Sequence, residues 1–215
     1  MKDKYYESRF KFNPERTRVW KEIACFHQKF VPEGGVVVDL GAGYCDFINN
    51  INAGKKYAVD TSPETPNYKK EDVIFLQKTT SDLSSISGNS VDVVHASNLF
   101  EHFDDNELEK VIREVKRVLK VGGKLILMQP NYRLAYKNYF DDYTHKKIWS
   151  DVSLGDFLTA NDFKIVLAMP KFLPFSMKSG SSLIPRALVP LIVRAYINSP
   201  IKPFAGQMLF VGEKI

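Results

Sequence analysis

The run Val36-Val37-Val38-Asp39-Leu40, followed at once by Gly41-Ala42-Gly43, is the feature that most constrains this chain. A short β-branched run between turn residues reads as a strand buried on both faces, the kind found in parallel sheets. The pattern repeats downstream. Lys56 to Asp60, Val73 to Gln77, Val91 to Ala96 and Lys124 to Gln129 read as strands two to five. Lys164 to Ala168 and Gly206 to Gly212 read as strands six and seven. Helical spacing falls between them. Val19, Trp20, Ile23, Phe26 and Phe30 mark a helix starting at Asn13-Pro14-Glu15, since proline suits a first turn. Leu108, Val111, Ile112, Val115, Val118 and Leu119 form a second apolar stripe behind a capping-box pair, Asp104 and Glu107. A further helix is expected from the glycine turn to near Asn52, another at Ser153 to Ala160, and one at Leu183 to Ile197, bent at Pro190. Strands alternating with helices predict an α/β sheet with right-handed crossovers.

Composition narrows the function classes. The 215 residues are 44% hydrophobic and 26% charged, which suits one globular domain. Two cysteines and no Cys/His cluster at zinc spacing argue against a disulfide scaffold or a zinc module, so no metal is expected and a reducing, cytoplasmic setting fits. The N-terminus shows no apolar signal region. Leu183 to Ile197 contains Arg186 and Arg194 and is too short to span a bilayer. The net charge of +5 is unevenly placed: residues 163–215 carry seven Lys/Arg, one acid and six of the eleven prolines. That basic, proline-broken quarter is too modest a patch for nucleic acid.

The first turn carries the chemistry. Glycines there let a ligand approach the backbone. A dinucleotide fingerprint needs a third glycine at position 46, where Asp46 stands and opposes a pyrophosphate. A cofactor without phosphates is therefore favoured. Asp60 closes strand two, placed to accept from ribose hydroxyls, and Thr61 follows it. Asp82 and Leu83, after strand three, offer a carboxylate for an exocyclic amine and an apolar cover for a base.

Taken in order, residues 37–43, Ala58-Val59-Asp60, Ser81-Asp82-Leu83, residues 91–94 and Arg117-Val118-Leu119-Lys120-Val121-Gly122-Gly123 resemble the class I S-adenosylmethionine-dependent methyltransferases, small-molecule branch. The resemblance spans roughly residues 30 to 130. It implies a Rossmann-like seven-stranded sheet of order 3-2-1-4-5-7-6, with helices on both faces and the last strand antiparallel. It implies S-adenosyl-L-methionine across the carboxyl ends of strands one, two and four. Asp39, Gly41, Ala42 and Gly43 would flank its methionine part, Asp60 and Thr61 its ribose, Asp82 and Leu83 its adenine, and Ser97 and Asn98 its sulfonium. The family often has a third glycine where this chain has Cys45. The expected layout is one domain over 1–215: a cap or lid in 1–33, to which Tyr5, Tyr6 and Arg9 belong, a cofactor core in 34–130, and an acceptor region in 131–215.

Two further clusters matter. Glu101-His102 after strand four resembles the Glu-His of many small-molecule members, and no Asn/Asp-Pro-Pro motif marks an amino-methyltransferase there. Asp141-Asp142-Tyr143-Thr144-His145 follows strand five and resembles an Asp-x-Thr-His element at the acceptor site. A histidine oriented by a carboxylate takes protons from hydroxyls, which makes His145 the expected base, with Asp142 behind it and His102 next in line. His95 reads as a packed core residue. The expected acceptor is a small molecule, a sugar or glycan precursor, with Arg186 and Arg194 reading an anionic group such as that of a nucleotide sugar or lipid-linked sugar. A lipid or quinone at a membrane surface is the alternative, and a non-catalytic cofactor-binding module another. A homodimer interface is a further use for the basic insert.

Overall fold

A computed structural model describes residues 12–174 and 188–215. The strands are β1 (Val36–Leu40), β2 (Lys55–Asp60), β3 (Val73–Gln77), β4 (Val91–Ser97), β5 (Leu119–Pro130), β6 (Phe163–Pro174) and β7 (Ala205–Lys214). They form one sheet in the order β3-β2-β1-β4-β5-β7-β6. β1 to β5 pair in parallel, and β7 runs antiparallel to both β5 and β6. The expected fold class and strand order hold. The helices are α1 (Pro14–His27), α2 (Asp105–Val118), α3 (Tyr132–Ala135), α4 (Asp151–Ala160) and α5 (Val189–Asn198).

The period-two alternation of the strands sorts their side chains into two cores. Val38, Leu40, Val94, Ala96, Leu125, Leu127, Met208 and Phe210 pack with the apolar stripe of α2 and with Leu154 and Leu158 of α4. Val37, Val93, Ile126, Met128, Leu209 and Val211 pack with Val19, Trp20, Ile23 and Ala24 of α1 and with Val193 and Ile197 of α5. Helix starts follow their caps. Asn13 Oδ1 accepts from Glu15 N–H ahead of Pro14. Glu107 N–H donates to Asp104 Oδ1 at 2.9 Å while Asp104 N–H donates to Glu107 Oε2 at 3.0 Å, completing the capping box.

Two expectations change, and a third is described only in part. No α-helix follows the glycine turn; residues 41–51 form successive turns, with Cys45 N–H on Ala42 O at 2.7 Å and Asn49 N–H on Cys45 O at 3.0 Å. The reason is backbone: Gly41, Gly43 and Cys45 all have positive φ, 65°, 51° and 58°, which a right-handed helix cannot use. α5 starts at Val189, with Pro190 in its first turn, where proline suits a helix start; residues 183–187 of the expected helix lie outside the described residues. Arg194, expected to read an anionic acceptor, is engaged by α1. Its Nε donates to Glu22 Oε2 at 2.7 Å, tying α5 to α1 on the face opposite α2. Tyr5, Tyr6, Arg9 and Arg186 lie outside the described residues. Among the described residues no helix is long and apolar enough to cross a membrane.

Candidate active site

The parallel strands end together, and the residues singled out from the sequence gather at that end, where an open α/β sheet has its crevice. At the end of β1 the glycine turn is held by β2: Gly41 and Ala42 N–H both donate to Val59 O, at 2.9 and 3.2 Å. Gly41 lies so close to Leu99 that an added Cβ would meet Leu99 Cδ1 at 3.0 Å. Asp60 is buried at the end of β2 and locks two turns. Its Oδ2 accepts from Gly43 N–H and its Oδ1 from Ser62 N–H, each at 2.8 Å. Thr61 beside it is exposed.

Asp39 stands one position before the end of β1, in register with His95 on β4. The two meet at 2.8 Å, Asp39 Oδ1 to His95 Nδ1. Alternation places both on the α1 face, where Phe47 stacks on His95 at 3.7 Å and Trp20 meets it edge-on at 6.0 Å. Burial brings the His95 imidazole down to about 3. Burial, with Asp60 second, holds the Asp39 carboxyl well above the usual carboxylate range. Both shifts come from burial and oppose charge on the pair. Asp46 is turned to α1: Arg16 Nε lies 3.0 Å from its Oδ2 and Thr17 Oγ1 donates to its Oδ1 at 2.9 Å.

Asp39, Asp46 and Asp60 gather carboxyl groups at the turn, a setting that opposes phosphate on a cofactor. At the end of β4, Asn98 takes φ +48° and its Nδ2 donates to Ser97 Oγ at 3.1 Å. Asp82 and Leu83 separate. The exposed Asp82 carboxylate accepts from Ser84 Oγ at 2.6 Å and pairs with Lys78 at 3.0 Å, which hold it down to about 2. Leu83 is fully buried in the core beneath α2.

The other part of the candidate site, where an acceptor is expected, is built from the segments after β4 and β5. Glu101 O accepts from Lys146 N–H at 2.8 Å and Lys147 N–H at 3.1 Å, fastening one segment to the other. This brings His145 Nε2 to 4.0 Å from Glu101 Oε1 and its ring to 4.9 Å from that of His102. Tyr139 packs its ring 4.8 Å from His145 and donates its hydroxyl to Lys147 O at 2.8 Å. The Asp142 carboxylate reaches Thr144, whose Oγ1 donates to Asp142 Oδ1 at 2.5 Å. With its one proton committed, Thr144 Oγ1 accepts from His102 Nδ1–H at 2.9 Å. His102 is thereby fixed as the Nδ1–H tautomer, with its lone pair on Nε2. The carboxylate expected behind His145 thus orients His102 through a threonine. Glu101 is fully buried, neither carboxyl oxygen has a hydrogen-bond partner among the described residues, and burial raises its pKa to about 8. Sequence reading missed Thr144 as a relay. The signal was present as an Asx turn, Thr144 N–H on Asp142 Oδ1 at 3.0 Å. Glu101, His102 and His145 form a set of potential metal ligands that no sequence spacing displayed.

Comparison with known proteins agrees with this geometry. Residues 38–127 match the family described as Methyltransferase domain. No match was found among curated proteins. The chain is similar to a SAM-dependent methyltransferase from Archaeoglobus fulgidus, with 17% identity, 99% of each chain covered and a TM-score of 0.69. It is similar to a SAM-dependent methyltransferase from Thermotoga maritima described as a possible histamine N-methyltransferase, with 20% identity, 100% of this chain and 94% of that chain covered, and a TM-score of 0.67. A third likeness is to geranyl diphosphate C-methyltransferase from Streptomyces coelicolor in complex with Mg2+, geranyl diphosphate and S-adenosyl-L-homocysteine, at 15% identity, 91% and 77% coverage and a TM-score of 0.64. At these identities the structures show the fold. The resemblance to class I S-adenosylmethionine-dependent methyltransferases stands, in the matched segment and in the sheet. Residues 38–127 match a methyltransferase-domain family, and the chain as a whole shares the fold of structures described as SAM-dependent methyltransferases.

Proposed function

We propose that the chain transfers a methyl group from S-adenosylmethionine to a hydroxyl of a small molecule, a sugar or glycan precursor, at the ends of β4 and β5. The observation that carries this reading is the Glu101, His102 and His145 cluster beside the cofactor end of the sheet. Bound S-adenosylmethionine supplies a methyl group already activated on a sulfonium. The rest falls to the chain. The glycine turn with Asp39 and Asp60 holds the methionine and ribose parts, and Ser97 and Asn98 border the sulfonium. The turn after β3 holds the adenine, through its backbone or the Thr79 and Ser81 hydroxyls, because Asp82 is turned to Lys78 and Leu83 to the core.

A hydroxyl attacks poorly until its proton leaves, and a positioned base contributes ~10² to 10⁴-fold. His102 Nε2, held by Thr144 and Asp142, and His145 beside Glu101 are the groups placed to take that proton. Orientation of the two reactants supplies ~7–11 kcal/mol more. Tyr136, Phe140 and Tyr143 expose their rings in the same segment and offer apolar faces to a sugar ring. The free cysteines Cys25 and Cys45 suit the cytoplasm. A second reading, a lipid or quinone acceptor at a membrane surface, is favoured by exposed Leu191, Ile201 and Phe204 on and after α5.

Calorimetric titration with S-adenosylmethionine tests the cofactor, and a mass-spectrometric screen of nucleotide sugars, lipid-linked sugars and quinones tests the acceptor. Binding with a methyl added to a sugar hydroxyl is expected. Absence of cofactor binding would sink the enzyme reading, and transfer only to lipid-borne acceptors would replace the sugar.

A further inference from the structure

We propose that Glu101, His102 and His145 form a binding site for one divalent transition-metal ion at the acceptor end of the sheet. Three residues from two separate segments bring one carboxylate oxygen and two imidazole nitrogens within 4.8 Å of one another. The Glu101 side chain is fully buried, and neither of its oxygens meets a hydrogen-bond donor among the described residues. A buried polar group left without a partner costs free energy, and a carboxylate more than most. A cation between the carboxylate and the two imidazoles removes that cost.

The second observation is the relay behind His102. Asp142 accepts from Thr144, and Thr144 accepts from His102 Nδ1–H, which leaves the lone pair on Nε2. Metal-binding histidines characteristically donate their other ring N–H to a group that fixes the tautomer and ring orientation. His145 offers Nε2, the atom 4.0 Å from Glu101 Oε1. Bonds of 2.0–2.1 Å to a tetrahedral ion place ligand atoms about 3.3 Å apart, so the cluster closes by roughly an ångström on binding.

The donor set chooses the ion. Two imidazoles and one carboxylate suit Zn2+, Co2+ or Fe2+, whereas Mg2+ and Ca2+ favour oxygen ligands. Three protein ligands leave a coordination position open, as in catalytic rather than structural sites. An acceptor oxygen in that position would be acidified by the ion, which then does the work assigned above to an imidazole. This use deepens the methyl-transfer reading and rests on it; the ion site itself is read separately.

The whole chain, stripped with EDTA and dialysed, is titrated with Zn2+ by calorimetry and with Co2+ by visible absorption. One ion per chain at about micromolar affinity or tighter, with cobalt ligand-field bands, is expected. Glu101→Gln should weaken binding by about 100-fold or more. Thr144→Val, which keeps the shape but breaks the relay, should weaken it by about 10–100-fold, and Thr144→Ser should restore it. His145→Ala serves if Glu101→Gln fails to fold by circular dichroism. Absence of binding at 100-fold excess of ion over a micromolar site, or affinity unchanged in a folded Glu101→Gln or His145→Ala variant, overturns the site. S-adenosylmethionine is titrated into the same stripped protein. Cofactor binding without ion binding sinks the metal site alone, and ion binding without cofactor binding sinks the methyl-transfer reading alone.

Discussion

The turn after β1 and the cluster after β4 and β5 occupy the same end of one sheet and are held in opposite ways. At the turn, backbone groups saturate the side chains: Asp60 accepts from Gly43 and Ser62 N–H, and Val59 O takes two further N–H groups. At the cluster, side chains hold one another: Asp142, Thr144 and His102 form a chain of hydrogen bonds, and Glu101 faces His145 with no donor on its oxygens. The first arrangement ties the glycine turn and the Asp60 carboxylate to the backbone. The second leaves the buried Glu101 carboxyl without a hydrogen-bond donor among the described residues, beside two imidazoles. On the proposed function the difference separates holding a cofactor from acting on an acceptor, and each half can be perturbed on its own.

The largest expected effect tests that separation. His102→Ala and His145→Ala should each lower kcat by ~10² to 10⁴ while leaving the S-adenosylmethionine Kd unchanged in calorimetry. Equal losses in cofactor affinity would merge the two regions into one site. Activity kept in both variants would leave transfer to positioning alone.

The converse experiment strikes the turn. Asp60→Ala removes the acceptors of two backbone donors and, on the proposed function, of the ribose hydroxyls. Cofactor affinity should fall by ~2–3 kcal/mol. Because the Gly43 and Ser62 N–H groups lose their partner, Tm should fall as well, by ~2–4 °C for each kcal/mol of stability lost. A variant with weakened binding and an unchanged Tm would show that the two backbone bonds are dispensable, and a variant with unchanged affinity would remove the ribose assignment.

The two regions also differ in how well the sequence announced them. Local spacing encodes a turn. Gly41, Gly43 and Asp60 could be read because a backbone requirement shows as a residue type at a fixed place, and the α2 capping box was legible for the same reason. The helix after Gly43 was misread because Cys45 in a left-handed conformation looks like any cysteine in the sequence. Asp82 and Leu83 are adjacent, yet neighbouring residues of an irregular segment need not share a face, and one went to solvent and the other to the core. Arg194 was read with its own helix and not with Glu22, 172 residues away. Glu101 and His145 were each noted, but their meeting depends on which strands are neighbours, and pairing across β4 and β5 is a property of topology. The same holds for Asp39 and His95, which face each other only because β1 and β4 are in register.

His27 on α1 supplies a control, since it is buried like the cluster but is assigned to neither site. His27 is fully buried among Phe26, Phe47 and Phe172, near His95 and Lys29, and burial pushes its pKa well below 6.5. The unfolded chain binds a proton below pH 6.5 that the folded chain refuses. Stability is therefore full above that value and lost as pH falls, with a slope of up to about 1.4 kcal/mol per pH unit. His27→Phe should flatten the fall of Tm between pH 7 and pH 5. A slope unchanged in that variant would assign the acid sensitivity to other groups.

The smallest effect returns to the turn after β1 and asks whether its backbone conformation has a local cost. Cys45 holds φ +58° with a fully buried side chain, its sulfur 3.9 Å from Thr65 O. A non-glycine residue in this conformation costs ~1–2 kcal/mol, and burial of a small apolar side chain returns about as much. Cys45→Gly should therefore leave Tm within about 3 °C of the parent and the cofactor Kd unchanged, strain relief offsetting lost packing. Cys45→Val keeps the apolar volume, but a β-branched residue fits the left-handed region worst, and Tm should fall by more than the glycine variant shows. If valine were tolerated as well as glycine, the positive φ would impose no side-chain requirement, and the absence of a helix after Gly43 would need a cause other than Cys45.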